Sequence, residues 1–458
     1  MRKNLALLLV LVFLIASCKS PFLPVQAEPR TIVVPDDYST LSLAIQNAGA
    51  GDTVFVKRGT YHEEAIEINK SISLIGEGIN ETILSLNPPL VEVWFLRNLL
   101  WVSDTAIKIN ANDVKLQGFT INLPKEGLGV VSGIYAVGDR ISFADNKIAN
   151  QSNVYLSGSV LNITCNSIQG TLQVAGSNIT VANNTIGDTL KVHGTFNLVS
   201  ANEIGSGYYW SGIQLDGSFN CIIGNSFSSM STEHSNFNII VNNSFVNLDM
   251  RKYGEGGCNN TIISKNRVTG NGGVNDGIWL YDGENNTISG NSIRNCETAL
   301  TLGTSYSTAS ARSNSIYLNN FENNTNHVIS LSGSDHTVNH FGNGAEGNYY
   351  DDYHGNDANW DGVGDSPYTI QETRWEEDLK SDVTIVFFQD NYPLMSPVDI
   401  DGFSVELPEW ASSSVILPES ETTEPFPTTL FIASVVIVAA VGLGLLVYFK
   451  KRKHKNVC

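Results

Sequence analysis

The stretch ENNTISGNSI, Glu284–Ile293, holds three asparagines in ten residues, and relatives of its pattern Asn–x–Ile–x–x–Asn–x–Ile recur along the chain. Aligned on the second asparagine, the relatives are ISFADNKI (Asn146), ITCNSI (Asn166), ITVANNTI (Asn184), LVSANEI (Asn202), IIGNSF (Asn225), IIVNNSF (Asn243), IISKNRV (Asn266) and IYLNNF (Asn319), with ENNTISGNSI itself supplying Asn291. Such asparagines serve as glycan acceptors, as a row of ligand contacts, or as a structural necessity of the backbone. Their steps of 18 to 28 residues match a repeat in which each unit is one turn of a solenoid.

Each unit also carries a second short strand bounded by glycine: GIYAVG, VYLSG, LQVAG, LKVHG, GIQLDG, GIWLYDG, ALTLG and VISLSG. Alternating strands with Gly or Asn at the corners are what a parallel β-helix requires, because one coil cannot bury its apolar side alone and stacked coils can. No proline occurs between Pro124 and Pro367, as expected where every backbone N–H is needed in a ladder. A corner forces the backbone toward the left-handed region, which Asn tolerates, and stacked amides can bond one another. The second asparagine of each motif is therefore expected at a corner. Ahead of the coils, Ser39 is expected to cap a helix with Leu41, Ala44, Ile45 and Ala48 on one face. That helix would cover the open strand edges of the first coil.

The segment STLSLAIQNAGAGDTVFVKRGTYHEEAIEINKSISLIGEG (Ser39–Gly78) resembles the opening of right-handed parallel β-helix proteins of the NosD-like and pectin-lyase-like group. The segment GNYYDDYHGNDANWDGVGDSPY with DNYPLMSP resembles the C-terminal part of NosD-like proteins of archaeal cell surfaces. The resemblance implies an all-β, right-handed parallel β-helix and leaves function open, since such solenoids carry lyases, hydrolases, epimerases, adhesins and carbohydrate binders.

The two ends suggest export and anchoring. Residues 1–27 have the charged start and apolar run of a signal peptide, with cleavage after Ala27 or lipidation at Cys18 as alternatives. Leu430–Phe449 is 20 uncharged, mainly apolar residues followed by the basic run Lys450–Lys455, the pattern of a transmembrane helix with a cytoplasmic tail. The expected order is signal 1–27, β-helix 31–345, a C-terminal cap 346–402, a polar stalk 403–429, a span 430–449 and a tail 450–458. This places the body outside the cell on a single-pass membrane anchor.

Eight of the 27 basic residues lie in the two end segments, whereas none of the 46 acidic residues does, so the body is more acidic than the whole-chain charge of −19. Nucleic acid is excluded as a partner, since phosphate binding needs clustered positive charge. Cys165, Cys221, Cys258 and Cys296 form no CxxC pair, and their spacing assigns no disulfide.

The sharpest motif is DANWDGVGD. Asp357, Asn359, Asp361, the Val363 carbonyl and Asp365 stand at alternate positions around Gly362, an oxygen set suited to a structural Ca²⁺. The Glu that closes an EF-hand is absent, since Tyr368 occupies its place. In the glycine-bounded strands the period of two points Tyr135, Tyr155, Gln173, Lys191, Gln214, Trp279 and Tyr281 to solvent. Stacked, they form a row of rings and hydrogen-bonding groups suited to a cell-surface or environmental polysaccharide. His193 and Asp216 fall at equivalent positions of successive coils, with His234 near the next, a pairing fit for acid–base work.

The Arg–x–Pro–x–x–Arg signature of pectate lyases and the paired aspartates of polygalacturonases are absent. A membrane-anchored surface protein that binds carbohydrate or serves as an adhesive element is therefore expected ahead of a polysaccharide lyase or hydrolase. Copper handling, implied by the NosD resemblance, stands third, because only Met230, Met250 and Met395 follow Met1 and His336, His340 and His354 form a sparse set. GYYW (Gly207–Trp210) would add to the wall of the groove, and VEVWFLRNLLW (Val91–Trp101) is expected as an apolar loop. Sequons at Asn69, Asn80, Asn150, Asn162, Asn178, Asn183, Asn242, Asn259, Asn285 and Asn323 are candidate glycan sites on an exported chain.

Overall fold

The computed structural model describes residues 28–88, 90–95, 98–103, 105–123, 132–150, 152–205, 212–250, 258–271, 277–303, 311–331, 339–376 and 380–412. The chain divides into residues 1–406 and residues 407–458; the described part of the second unit is the short helical turn Glu409–Ser412. No helix among the described residues is long and apolar enough to cross a membrane. The expected signal, span and tail lie outside the described residues, as does all of the expected stalk beyond Ser412.

The first unit is a parallel β-helix. Sheet I holds 14 strands from Thr31–Val34 to His340–Phe341, sheet II 13 from Gly59–Glu63 to Tyr349–Tyr350, and sheet III 14 from Ile66–Ile68 to Ser381–Asp390. A coil visits the three in turn: Thr180–Ala182 in I, Thr185–Ile186 in II, Leu190–Thr195 in III, then Leu198–Ser200 in I again. Register is kept from coil to coil, so Ile163, Val181, Val199, Ile222, Ile240, Ile263, Ile288 and Ile316 form one fully buried inner column. Each such side chain contributes about 1.5–3 kcal/mol by leaving water. A one-residue slip would turn a strand's apolar set outward, which fixes the register.

The corner between sheets I and II is uniform. Ten turns, from Gln117/Thr120 to Tyr317/Asn320, use two residues each. The second is the motif asparagine from Asn146 onward, and it is buried in every case. Its Nδ2 donates to Oδ1 of the next asparagine, making the ladder Asn146–166–184–202–225–243–266–291–319–348 with steps of 2.9–3.2 Å. Each Oδ1 also accepts the preceding rung's backbone N–H, so two buried donors are satisfied per coil. The ladder ends at Asp390, whose Oδ2 accepts from both the backbone N–H and Nδ2 of Asn348.

The motif asparagine does not take the left-handed conformation expected of it. That falls on the residue before it: Asp145, Cys165, Asn183, Ala201, Gly224, Asn242, Lys265, Gly290 and Leu318, at φ 50–65°. The geometry is imposed by the stack, and the asparagine is needed for its amide.

Two further expectations change. The helix Leu41–Asn47 is capped by Thr40, whose Oγ1 accepts from Leu43 N–H at 3.3 Å, and not by Ser39. Leu41, Ala44 and Ile45 pack inward as expected. Residues 91–101 belong to an antiparallel hairpin, Leu90–Phe95 with Asn98–Ser103, in place of a loop. Of the four body cysteines, Cys165 is exposed and Cys221, Cys258 and Cys296 are buried.

At the far end, Tyr368–Glu376 extends sheet III and Ser381–Asp390 folds back on it antiparallel. The chain then returns along the solenoid as a strap. Asn320 and Val398 exchange two bonds, Arg267 pairs with Asp401, and the Phe403 ring fills the space where a Gly290 side chain would stand.

Candidate functional site

Connections that border sheet III vary in length from one residue, Ser228 or Val246, to twenty, 87–106, the stretch that carries the added hairpin. Both edges of sheet III are thus free to carry insertions, and its outward face is the place to seek a site.

Register places that face. One outward row runs Lys108, Tyr135, Tyr155, Gln173, Lys191, Gln214, Ser231, Asp249, Trp279. A second, two residues along each strand, runs Asn110, Val137, Ser157, Ala175, His193, Asp216, Glu233. All seven expected ligand-facing residues point outward. Tyr135 and Tyr155 stack with ring centres 5.0 Å apart, and Trp279 and Tyr281 stack at 4.5 Å. The Trp279 Nε1–H donates to Gly303 O at 3.0 Å, which holds the indole against the sheet. Ala65, Ile66, Glu67, Thr105, Lys108 and Tyr135 line an open depression of about 510 Å³ at the N-terminal end of the row. Gly207–Trp210 lies outside the described residues.

Glycines 138, 158, 176, 194 and 217 close five successive strands of the sheet. A Cβ on Gly194 would stand 1.9 Å from Gly176 O, and one on Gly217 1.9 Å from Gly194 O, so no other residue fits where the chain turns beside His193 and Asp216. His193 Nδ1 lies 3.5 Å from Asp216 Oδ2, both half-exposed. The next coil places Glu233 beside Asp216, not His234, which falls one residue further on at a left-handed corner. Asp216 and Glu233 are therefore a carboxylate pair that the sequence pattern did not reveal. The strand of Glu233, SMSTE, lacks the flanking glycines and buries Met230 and Thr232 in place of branched aliphatics.

The acidic loop folds on itself. Asp357 Oδ2 accepts from Gly362 N–H at 3.0 Å, Asp361 Oδ1 from Val363 N–H at 2.9 Å and Asp365 Oδ2 from Ala358 N–H at 2.8 Å. Asn359 Nδ2 donates to Asp361 Oδ2 at 2.8 Å. The loop is stitched to the strap by Gly364 N–H to Pro393 O and Met395 N–H to Gly362 O. Its tip, Trp360, is 90% exposed at φ 62°.

The sequon asparagines sit mostly at the surface. Asn183, Asn242, Asn285 and Asn323 are exposed at left-handed corners, each just before a more buried asparagine. Asn69, Asn80, Asn162 and Asn178 are exposed, and Asn150 and Asn259 half-buried. The Asn150 and Asn323 side-chain nitrogens are engaged, with Leu123 O and Asn295 Oδ1 respectively.

Residues 164–355 match the family model described as "Periplasmic copper-binding protein (NosD)". No curated protein matches the chain. Among solved structures, it is similar to the mannuronan C-5 epimerase AlgE6 A-module of Azotobacter vinelandii, at 14% identity and TM-score 0.45 over 65% of this chain and 93% of that one. The PL6 family alginate lyase AlyGC is 14% identical with TM-score 0.42, over 81% of this chain and 57% of that one. The Dettilon tailspike protein is 13% identical with TM-score 0.39, over 68% and 67%.

The copper in the family description finds no fitting donor set among the described residues. Met230 and Met250 are sealed in the core, Met395 stands apart on the surface, and Cys221, Cys258 and Cys296 are buried. Burial pushes the Cys221 thiol up to about 12, away from the thiolate a metal needs. His340 and His354 belong to no cluster of three ligating groups, and His336 lies outside the described residues. Over residues 164–355 the chain is NosD-like in sequence, and its first unit is a parallel β-helix.

Proposed function

We propose that the protein is a membrane-anchored cell-surface solenoid whose sheet III face binds a linear polysaccharide. The observation that carries this is the coincidence of two features on one sheet: length-variable connections at both edges, and an outward row of stacked aromatics, amides and lysines. Coils repeat every 4.7–4.9 Å or so, close to the length of one sugar, so successive coils would meet successive residues of a chain. Tyr135, Tyr155, Trp279 and Tyr281 would lie on sugar faces, while Gln173, Lys191 and Gln214 would bond hydroxyls or carboxylates. Calcium would be held by Asp357, Asn359, Asp361, the Val363 carbonyl and Asp365, bracing the C-terminal cap where it meets the strap. Glycans on the exposed sequons would sit at the corners, beside the face and not on it.

The test is a glycan array with the soluble body, with product analysis on the glycans that bind. Binding lost in Tyr155→Ala, with no change in the thermal midpoint, supports the reading; no glycan bound under any condition refutes it. A second reading, cleavage of that polymer, rests on the His193–Asp216–Glu233 row. Under it, products would form on the bound glycan and vanish in Asp216→Ala.

A further inference from the structure

Among the described residues, one cluster has the composition of a metal centre, and it lies at the last coils. His327 is on the strand Asn326–Leu331, and Asp351 and Asp352 follow Tyr349–Tyr350 one coil later. The imidazole is 4% exposed, with Phe321, Tyr350 and Tyr368 around it at tilted ring contacts of 5.9–6.3 Å. Its Nε2 stands 3.0 Å from Asp351 Oδ1 and 3.3 Å from Asp352 Oδ1. Those distances suit two arrangements equally: three ligands around one ion, or one N–H donating to two carboxylates. The other ring nitrogen decides between them.

Nδ1 faces the Nδ2 of Asn324 at 3.3 Å. The orientation of that amide is fixed independently: its Oδ1 accepts from Cys296 N–H at 2.9 Å, and its Nδ2 donates to Ile293 O at 3.0 Å. The second N–H of Asn324 is therefore what meets the ring. A ring nitrogen facing a donor has to be the unprotonated one, which leaves the proton of the neutral imidazole on Nε2. Metal-bound histidines show the opposite arrangement, with the free ring N–H given to an acceptor and the lone pair given to the metal. Coordination by Nε2 here would move the proton to Nδ1, against the Asn324 N–H. The alternative is for Asn324 to turn over and abandon both backbone bonds.

We infer that Asn324 bars His327, Asp351 and Asp352 from acting as a metal centre, and that the three form a proton-filled clamp. The clamp ties the penultimate coil to the cap. Asp351 also accepts from Asn323 N–H at 2.6 Å, and Asp352 accepts from the Tyr368 hydroxyl at 3.3 Å, so both carboxylates are spoken for by neighbouring elements. The copper of the family description accordingly does not extend to this cluster.

Two measurements on the full chain test this. Long-range ¹H–¹⁵N spectra of histidine-labelled protein should show one imidazole in the Nε2–H form at neutral pH, absent in His327→Gln; an Nδ1–H pattern for that ring overturns the inference. Titration with Co²⁺, and separately with Cu²⁺, should give no His327-dependent ligand-field band in the natural sequence. Asn324→Asp, which offers Nδ1–H an acceptor, should gain such a band and bind Co²⁺ about tenfold more tightly. Tight binding by the natural sequence that is lost in His327→Gln overturns the inference, as does a folded Asn324→Asp protein that gains nothing. Should Asn324→Asp fail to fold, the ring spectrum alone decides.

Discussion

The corner between sheets I and II and the face of sheet III are parts of the same coils, yet they obey opposite rules. The corner allows two residues per turn over ten turns without insertion, and nine of those turns carry one buried amide. Sheet III keeps only its inner column, while its outward residues change from coil to coil and its connections run from one to twenty residues. The difference teaches where the energy of the fold is concentrated: a buried donor left without an acceptor is costly, whereas an exposed side chain on a strand is nearly free to change.

Breaking the corner should have the largest effect. Asn225→Leu strips the acceptor from the buried Asn202 backbone N–H, takes one of the acceptors of its Nδ2, and leaves Asn243 Oδ1 with only the backbone N–H of residue 225. Chemical denaturation should show a loss of about 3 kcal/mol, and a loss under 1 kcal/mol would show that the ladder is ornament.

The N-terminal end, which the ladder does not reach, should be weaker and sensitive to acid. Asp52 is held down to about 2 by the Arg30 side chain and by N–H donors from Arg30 and Gly49. Its folded-state pKa is depressed, so its stabilisation is present above the unfolded carboxylate range and is lost as pH falls toward 2. Asp52→Asn should flatten that acid limb at a cost of about 1 kcal/mol near neutrality, the exposure of Arg30 having been discounted. Asp390, raised chiefly by burial, acts in the opposite sense: what it lends as a neutral acid declines as pH rises above the unfolded range. A denaturation series against pH separates the two ends.

A smaller effect sharpens the comparison at the corner between sheets III and I. Val160 is 54% exposed at φ 60°, a conformation poor for a branched residue, where later coils use Asn178, Asn260 and Asn285, with Phe196, Phe219 and Phe237 in the three coils between. Val160→Asn should raise stability by about 1 kcal/mol, read as a higher denaturation midpoint. On the variable face, Asp216→Ala should leave stability within about 0.5 kcal/mol while changing glycan binding or turnover. A large loss of stability there would mean that sheet III is as constrained as the corner.

The solenoid was legible in the sequence because its rungs repeat in near register: nine of the ten ladder asparagines stand in a recognisable motif. Asn348 and Asp390 escaped notice because residues 342–348 lengthen the last corner and Asp390 returns from 42 residues further on. The left-handed position could not be read from residue type, since Asp, Cys, Ala, Lys and Leu all occupy it. The outward row followed from the period of two, whereas Glu233 did not, because its strand carries no glycine frame. His327 gave no signal at all, since its partners lie one coil away and its proton is placed by an amide three residues earlier.

The two-residue corner also makes the length of this protein countable. Asn166, Asn184 and Asn202 stand 18 residues apart, and each rung satisfies only its neighbours. Removing residues 167–184 would bring Thr185 to the place of Ser167, in the register those strands already share, and would shorten the body by one coil with every remaining rung paired. Lengthening works the same way. Such a scaffold grows and shrinks in whole turns, so a protein built on it can change its reach without redesigning its core.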